Sequence, residues 1–113
     1  MNDWQTEVAK HAEDDLRDIY EYLAFEKLEP GIAKNLIQRI QKRVNKLNTS
    51  PLSFALYPKE PWKSLGLRRV NSGKYAIFYI PTEENKTVTV VRIMYGGRDI
   101  ENILDEMLDD ESE

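Results

Sequence analysis

Residues Tyr75-Ala76-Ile77-Phe78-Tyr79-Ile80 constrain the fold of this chain more than any other stretch. Every position is apolar, and successive side chains of a strand point to opposite faces. A strand here is therefore apolar on both sides and must be covered on both sides. It stands between two further strand patterns, residues 67–71 and 87–95. Ser72-Gly73 separates it from the first, and the polar run 81–86 separates it from the second. Consecutive strands joined by short polar turns read as an antiparallel meander.

The cover comes from helices. Leu16, Ile19, Tyr20 and Leu23 fall at helical spacing within residues 12–27, which marks one apolar face. Glu13, Asp14 and Asp15 stand in the expected first turn, where the helix dipole favours negative charge. Pro30-Gly31 breaks the pattern, and proline suits the start of a helix. Ala33, Leu36, Ile37, Ile40, Val44 and Leu47 then define a second helix, with Lys34, Arg39, Lys42, Arg43 and Lys46 on its polar face. Asn48-Thr49-Ser50-Pro51 ends it. Two long helices with so short a connection predict an antiparallel hairpin. That hairpin covers one face of the sheet. The other face needs the C-terminal segment, where Ile100, Ile103, Leu104, Met107 and Leu108 form an apolar stripe from about Asp99, or a partner. Trp4-Gln5-Thr6-Glu7-Val8 alternates as a short N-terminal strand. Residues 51–66 read as a loop, with Phe54, Tyr57 and Trp62 pinning it to the core.

At 113 residues the chain is expected to be one domain, residues 1–104, followed by an acidic tail, 105–113. It has no cysteine, which excludes disulfides, thiolate nucleophiles and zinc–thiolate sites. His11 has no second histidine, so neither a metal site nor a cofactor is expected. No apolar run approaches a membrane span. Met1-Asn2-Asp3 opens no basic-then-apolar export signal. A cytoplasmic protein is the expectation. The net charge of −4 conceals an asymmetry. Residues 1–30 carry 3 Lys/Arg and 9 Asp/Glu, residues 31–98 carry 13 and 3, and residues 99–113 carry none and 8. A basic middle in an acidic chain suggests a surface for phosphates or for an acidic partner. The same residues also read as merely solvated basic loops and helix.

The element order β-α-α-β-β-β-α makes this an α+β chain. That order, Gly66-Leu67-Arg68-Arg69-Val70, Tyr75-Ala76-Ile77-Phe78-Tyr79 and Arg92-Ile93-Met94-Tyr95-Gly96-Gly97-Arg98-Asp99 together resemble the RelE/ParE superfamily of bacterial toxins. The resemblance covers residues 4–104. It implies a growth inhibitor made beside a cognate antitoxin protein, reaching operator DNA only through the antitoxin complex, with no membrane role.

The superfamily divides by mechanism. RelE-like members cut messenger RNA on the ribosome without a metal, using converging cations and acid–base groups at the scissile phosphate. The resemblance assigns that apparatus to positions which here are Leu67, Arg69, Ala76, Arg98 and Leu104. A ribonuclease reading therefore rests on Arg69, Arg98 and Tyr95 as catalytic groups. Lys59, Lys63, Arg68 and Arg92 would bind target or phosphate, and Glu60 is a possible substitute acid–base group. ParE-like members instead inhibit DNA gyrase by binding it, and the Tyr-x-Ile-Phe-Tyr strand with its Gly-x-Arg-Asp ending is closer to them. A third reading is an inactive member that acts only as an antitoxin-bound co-repressor. Arg68 and Arg69 point to opposite faces of one strand, so both cannot line one site. Tyr75, Tyr79 and Tyr95 read as core, Arg92 as half-buried against an acidic neighbour, and Gly96 and Gly97 as serving backbone geometry.

Overall fold

The computed structural model describes residues 4–111. In chain order the elements are β1 (Gln5–Val8), α1 (Lys10–Glu21), α2 (Pro30–Asn45), α3 (Trp62–Leu65), β2 (Arg68–Ser72), β3 (Tyr75–Thr82), β4 (Thr87–Tyr95) and α4 (Ile100–Glu111). A π-helical turn, Tyr22–Glu26, prolongs α1, and a 3-10 turn, Lys46–Asn48, ends α2. The loop expected over 51–66 contains a second 3-10 turn, Pro51–Ser53, as well as the short α3. Among the described residues no helix is long and apolar enough to cross a membrane.

The sheet order is β1-β4-β3-β2. The meander β2-β3-β4 is antiparallel, as its short turns require. Gly73, at φ 57°, takes the positive-φ position of the two-residue β2–β3 turn. β1 adds to β4 in parallel, from Gln5 beside Thr87 to Val8 beside Val90. The sheet is thus mixed, where the sequence suggested an antiparallel meander alone. Parallel neighbours need a long crossover, and the helical hairpin and the meander supply it.

β3 is central, and its two faces build two cores. Ile77 and Tyr79 face the hairpin and pack with Ala12, Ile40, Val44 and Leu47. Ala76 and Phe78 face the opposite side and pack with Leu67, Met94, Trp62, Leu104 and Met107. The second cover is therefore α4 with the 54–65 segment. The residues set apart as an acidic tail continue α4 as far as Glu111, with Met107 in the core.

α1 and α2 are joined through Leu28, which has φ 55°. The Glu29 N–H donates to the Leu23 carbonyl six residues back, at 2.9 Å, one residue wider than the bond that usually closes a helix on a left-handed residue, as suits the π-helical turn before it. Glycine is the usual occupant, yet here the residue is a leucine that is 79% exposed.

Candidate functional site

Building the site begins where β1 stops. The last bond to that side of β4 is Ala9 N–H to Val90 O at 2.9 Å. Beyond it β4 has no strand neighbour on that edge among the described residues, and α1 runs alongside. Val91 has no partner on β3, because pairing steps from Phe78–Arg92 to Tyr79–Val90. Such a bulge re-aims the side chains around it. Across the bulge Arg92, opposite Phe78, shares a face with Met94 but not with Val90, which packs in the hairpin-side core. Its Nε and Nη2 each donate to Asp15 at 2.8 Å, and the Ile93 N–H donates to the same carboxylate at 2.8 Å. The two side chains are 16% and 12% exposed. Hydrogen bonding to Asp15 raises the Arg92 pKa further above its ordinary value. Asp15 lies outside the first turn, because α1 begins at Lys10 and not near residue 12. It caps an open strand edge, and Arg92 is engaged in holding it there.

Past this pair, the hairpin and the strand ends enclose a groove of about 490 Å³, lined among others by Asp18, Tyr22, Tyr75, Tyr95 and Arg98. Tyr75 and Tyr95 meet edge to face at 5.8 Å between ring centres. Desolvation, then the neighbouring Tyr95 and Tyr22 hydroxyls, raise the Tyr75 pKa. Tyr95 is 46% exposed, not a core residue as the sequence suggested. Its ring folds back over the following turn, and a Cβ on Gly97 would lie 2.6 Å from it. A side chain at Gly97 would thus push the Tyr95 ring aside, a matter of close approach and not of a positive φ. Arg98 is exposed at the mouth of the groove. The tyrosines, a guanidinium and the neighbouring Tyr20–Phe25 edge-to-face pair make an amphipathic surface suited to a protein partner.

The remaining predicted residues lie elsewhere. Arg69 lies 5.6 Å over the Phe78 ring and donates to Asn71 Oδ1 at 3.1 Å, on the α4 side of β2. Arg68 points to the other face, where it donates to the Leu52 and Phe54 carbonyls and so tethers the loop. Lys59 pairs with Glu101 of α4 at 2.7 Å, and this bond raises its pKa. Glu60 accepts from both the Ser64 hydroxyl and the Ser64 N–H at 2.8 Å, which lowers its pKa and anchors α3. Lys63 is exposed on α3. Tyr57 packs edge to face on Phe78, and burial followed by Glu101 raises its pKa. The acidic side chains of α4 therefore lie over Lys59 and Tyr57. Arg69 is not among the residues lining the groove of Tyr95 and Arg98, although its Nη2 comes within 3.6 Å of where a Cβ on Gly96, the residue after Tyr95, would stand. Leu67 and Ala76 are fully buried beneath α4, and Leu104 is fully buried on the inward face of α4 itself; these are the positions where the resemblance places ribonuclease groups.

Sequence reasoning missed Asp15 and Tyr22. Tyr22 carried a legible signal, since it is an aromatic lying off the apolar stripe of its helix. Asp15 carried none, because its role depends on a strand end elsewhere in the chain.

The fold has solved relatives. The toxin–antitoxin ParDE system of P. aeruginosa superposes with a TM-score of 0.66 at 21% identity, covering 84% of this chain and 98% of that one. The archaeal RelE–RelB complex of Pyrococcus horikoshii gives 0.59 at 17% identity over 85% and 98%. The isolated E. coli RelE toxin gives 0.59 at 13% identity over 93% and 98%. No curated protein matches. These likenesses carry the fold alone; the family rests on a sequence model that matches residues 7–100. The chain belongs to the ParE toxins of the type II toxin–antitoxin system parDE.

Proposed function

We propose that this toxin arrests growth by binding its target, DNA gyrase, and not by cutting RNA. The observation that carries this reading is the burial of Leu67, Ala76 and Leu104. Phosphoryl chemistry without a metal needs several cations converging on one phosphate. At these positions the chain has apolar side chains, and α4, through Leu104 itself, closes the surface over Leu67 and Ala76. The groove of Tyr22, Tyr75, Tyr95 and Arg98 is the contact surface this reading favours. A cognate antitoxin is the expected partner in the resting cell, in keeping with the ParDE and RelE–RelB assemblies that share the fold. Purified chain added to gyrase and relaxed plasmid should block supercoiling. Arg98→Ala and Tyr95→Ala, both exposed, should weaken inhibition at least tenfold while leaving the melting temperature unchanged. Full supercoiling at a large excess of folded toxin would refute the target.

A further inference from the structure

The face of α2 turned away from the sheet is chemically unlike the rest of the molecule. Its exposed residues include four cations, Lys34, Arg39, Lys42 and Lys46. Between them stand four exposed amides, Asn35, Gln38, Gln41 and Asn45. There is no acidic residue anywhere in α2. Among the described residues, none of the four cations makes an ion pair. The cations of α1 contrast with these, because Lys10 pairs with Asp14, and Arg17 with Asp14, Asp18 and Glu21. Arg39 and Lys42 are three residues apart, and Lys42 and Lys46 are four apart. Like charges at such spacings repel along a helix. The helix dipole favours Lys42 and Lys46 near the C-terminus but does not account for Lys34 or Arg39. The row continues off the helix, since Lys74 in the β2–β3 turn borders the same shallow depression as Arg39.

We propose that the exposed face of α2 is a docking surface for the phosphate backbone of nucleic acid, with Lys34, Arg39, Lys42 and Lys46 neutralising phosphates and Lys74 extending the row. Cations and side-chain amides are the groups that contact phosphate and sugar. An acidic protein segment fits less well. Protein interfaces centre on desolvated apolar anchors, and of the large exposed apolar side chains α2 carries only Ile32, at its first turn. Glu13 borders the face only beside Gln41 and Asn45. The acidic remainder of the chain is screened over about 10 Å at 0.1 M salt. The surface is separate from the tyrosine groove, so a failure of gyrase inhibition would leave it untouched.

The test is fluorescence anisotropy of the purified chain with a labelled 20-base-pair DNA duplex at 50 to 200 mM KCl. Three or four phosphate contacts predict a slope of log K against log salt between about −2.7 and −3.6, so affinity falls roughly 40- to 150-fold over that range. The triple variant Arg39→Gln/Lys42→Gln/Lys46→Gln should lose about 2.7 of that slope. The control Lys10→Gln/Arg17→Gln, which removes paired cations, should keep it. Circular dichroism should show both variants folded. No binding at 50 mM, or an unchanged slope in the triple variant, would overturn the proposal. So would poly-glutamate displacing the duplex as well as unlabelled DNA does at equal charge, which would instead mark an acidic-protein surface.

Discussion

The two faces of the sheet are built differently. The face under the hairpin is closed by two long helices, and its one deeply buried hydroxyl is satisfied. Tyr79 donates to the Pro51 carbonyl at 2.7 Å. The face under α4 is closed by one helix and a pinned loop. Each face keeps one buried donor without a partner among the described residues, Arg68 Nε under the hairpin and Trp62 Nε1 under α4. At its rim the Lys59–Glu101 pair is exposed, and such pairs add little stability. The hairpin face is the structural half of the fold. On the α4 face, the positions to which the resemblance assigns ribonuclease groups hold buried Leu67, Ala76 and Leu104, while Arg69 keeps a cation at the rim.

That contrast can be broken most directly at Ala76. Ala76→Arg restores the cation expected of a ribonuclease, but in a fully buried position. An uncompensated buried charge costs several kcal/mol, so urea denaturation should show a loss of about 4–5 kcal/mol. A loss under about 1 kcal/mol, with α4 still helical, would mean the face is not sealed.

Asp15→Ala tests the edge between the two faces. It leaves Arg92 and the Ile93 N–H without their partner, and should cost about 3 kcal/mol. Arg92→Met added to Asp15→Ala should recover part of this, which a double-mutant cycle would detect.

Alkaline titration tests the hairpin face. Desolvation pushes the Tyr79 hydroxyl up to about 12. A group whose pKa is raised by folding stabilises the native state below the unfolded pKa and loses that contribution as pH rises through the folded value. Stability should therefore fall by about 2–3 kcal/mol between roughly pH 10 and pH 12. Tyr79→Phe should abolish that fall while costing about 1 kcal/mol at neutral pH, through the unpaired Pro51 carbonyl. Smallest of all, Lys59→Ala should leave the melting temperature unchanged.

Much of the fold was legible because periodicity reports how a residue sits on its own element. The two-faced β3, the hairpin and the stripe of α4 all follow from spacing. Periodicity says nothing about what lies opposite. The parallel pairing of β1 with β4 joins residues about eighty positions apart, and no local pattern encodes it. The sequence correctly expected an acidic neighbour for Arg92, but not that the neighbour is Asp15 of α1, because no local pattern encodes the bulge at Val91 or the strand edge beside it. Tyr95 looked like core because it ends an apolar strand. The strand outruns its cover there, and the ring lies over Gly97 at the surface. Arg68 looked like a phosphate ligand because it is basic, yet loop carbonyls use its guanidinium. The charge of α2 was visible in the sequence. That its cations are unpaired required the structure.

The central claim is that this chain binds its target and does not cut RNA. The most direct measurement adds purified, antitoxin-free toxin, shown to be folded and toxic in cells, to a translating extract and maps the messenger 5′ ends. Intact messengers at a toxin excess are the predicted result. Codon-phased 5′ ends that vanish in an Arg98→Ala variant would contradict it and make Arg69, Arg98 and Tyr95 catalytic residues after all.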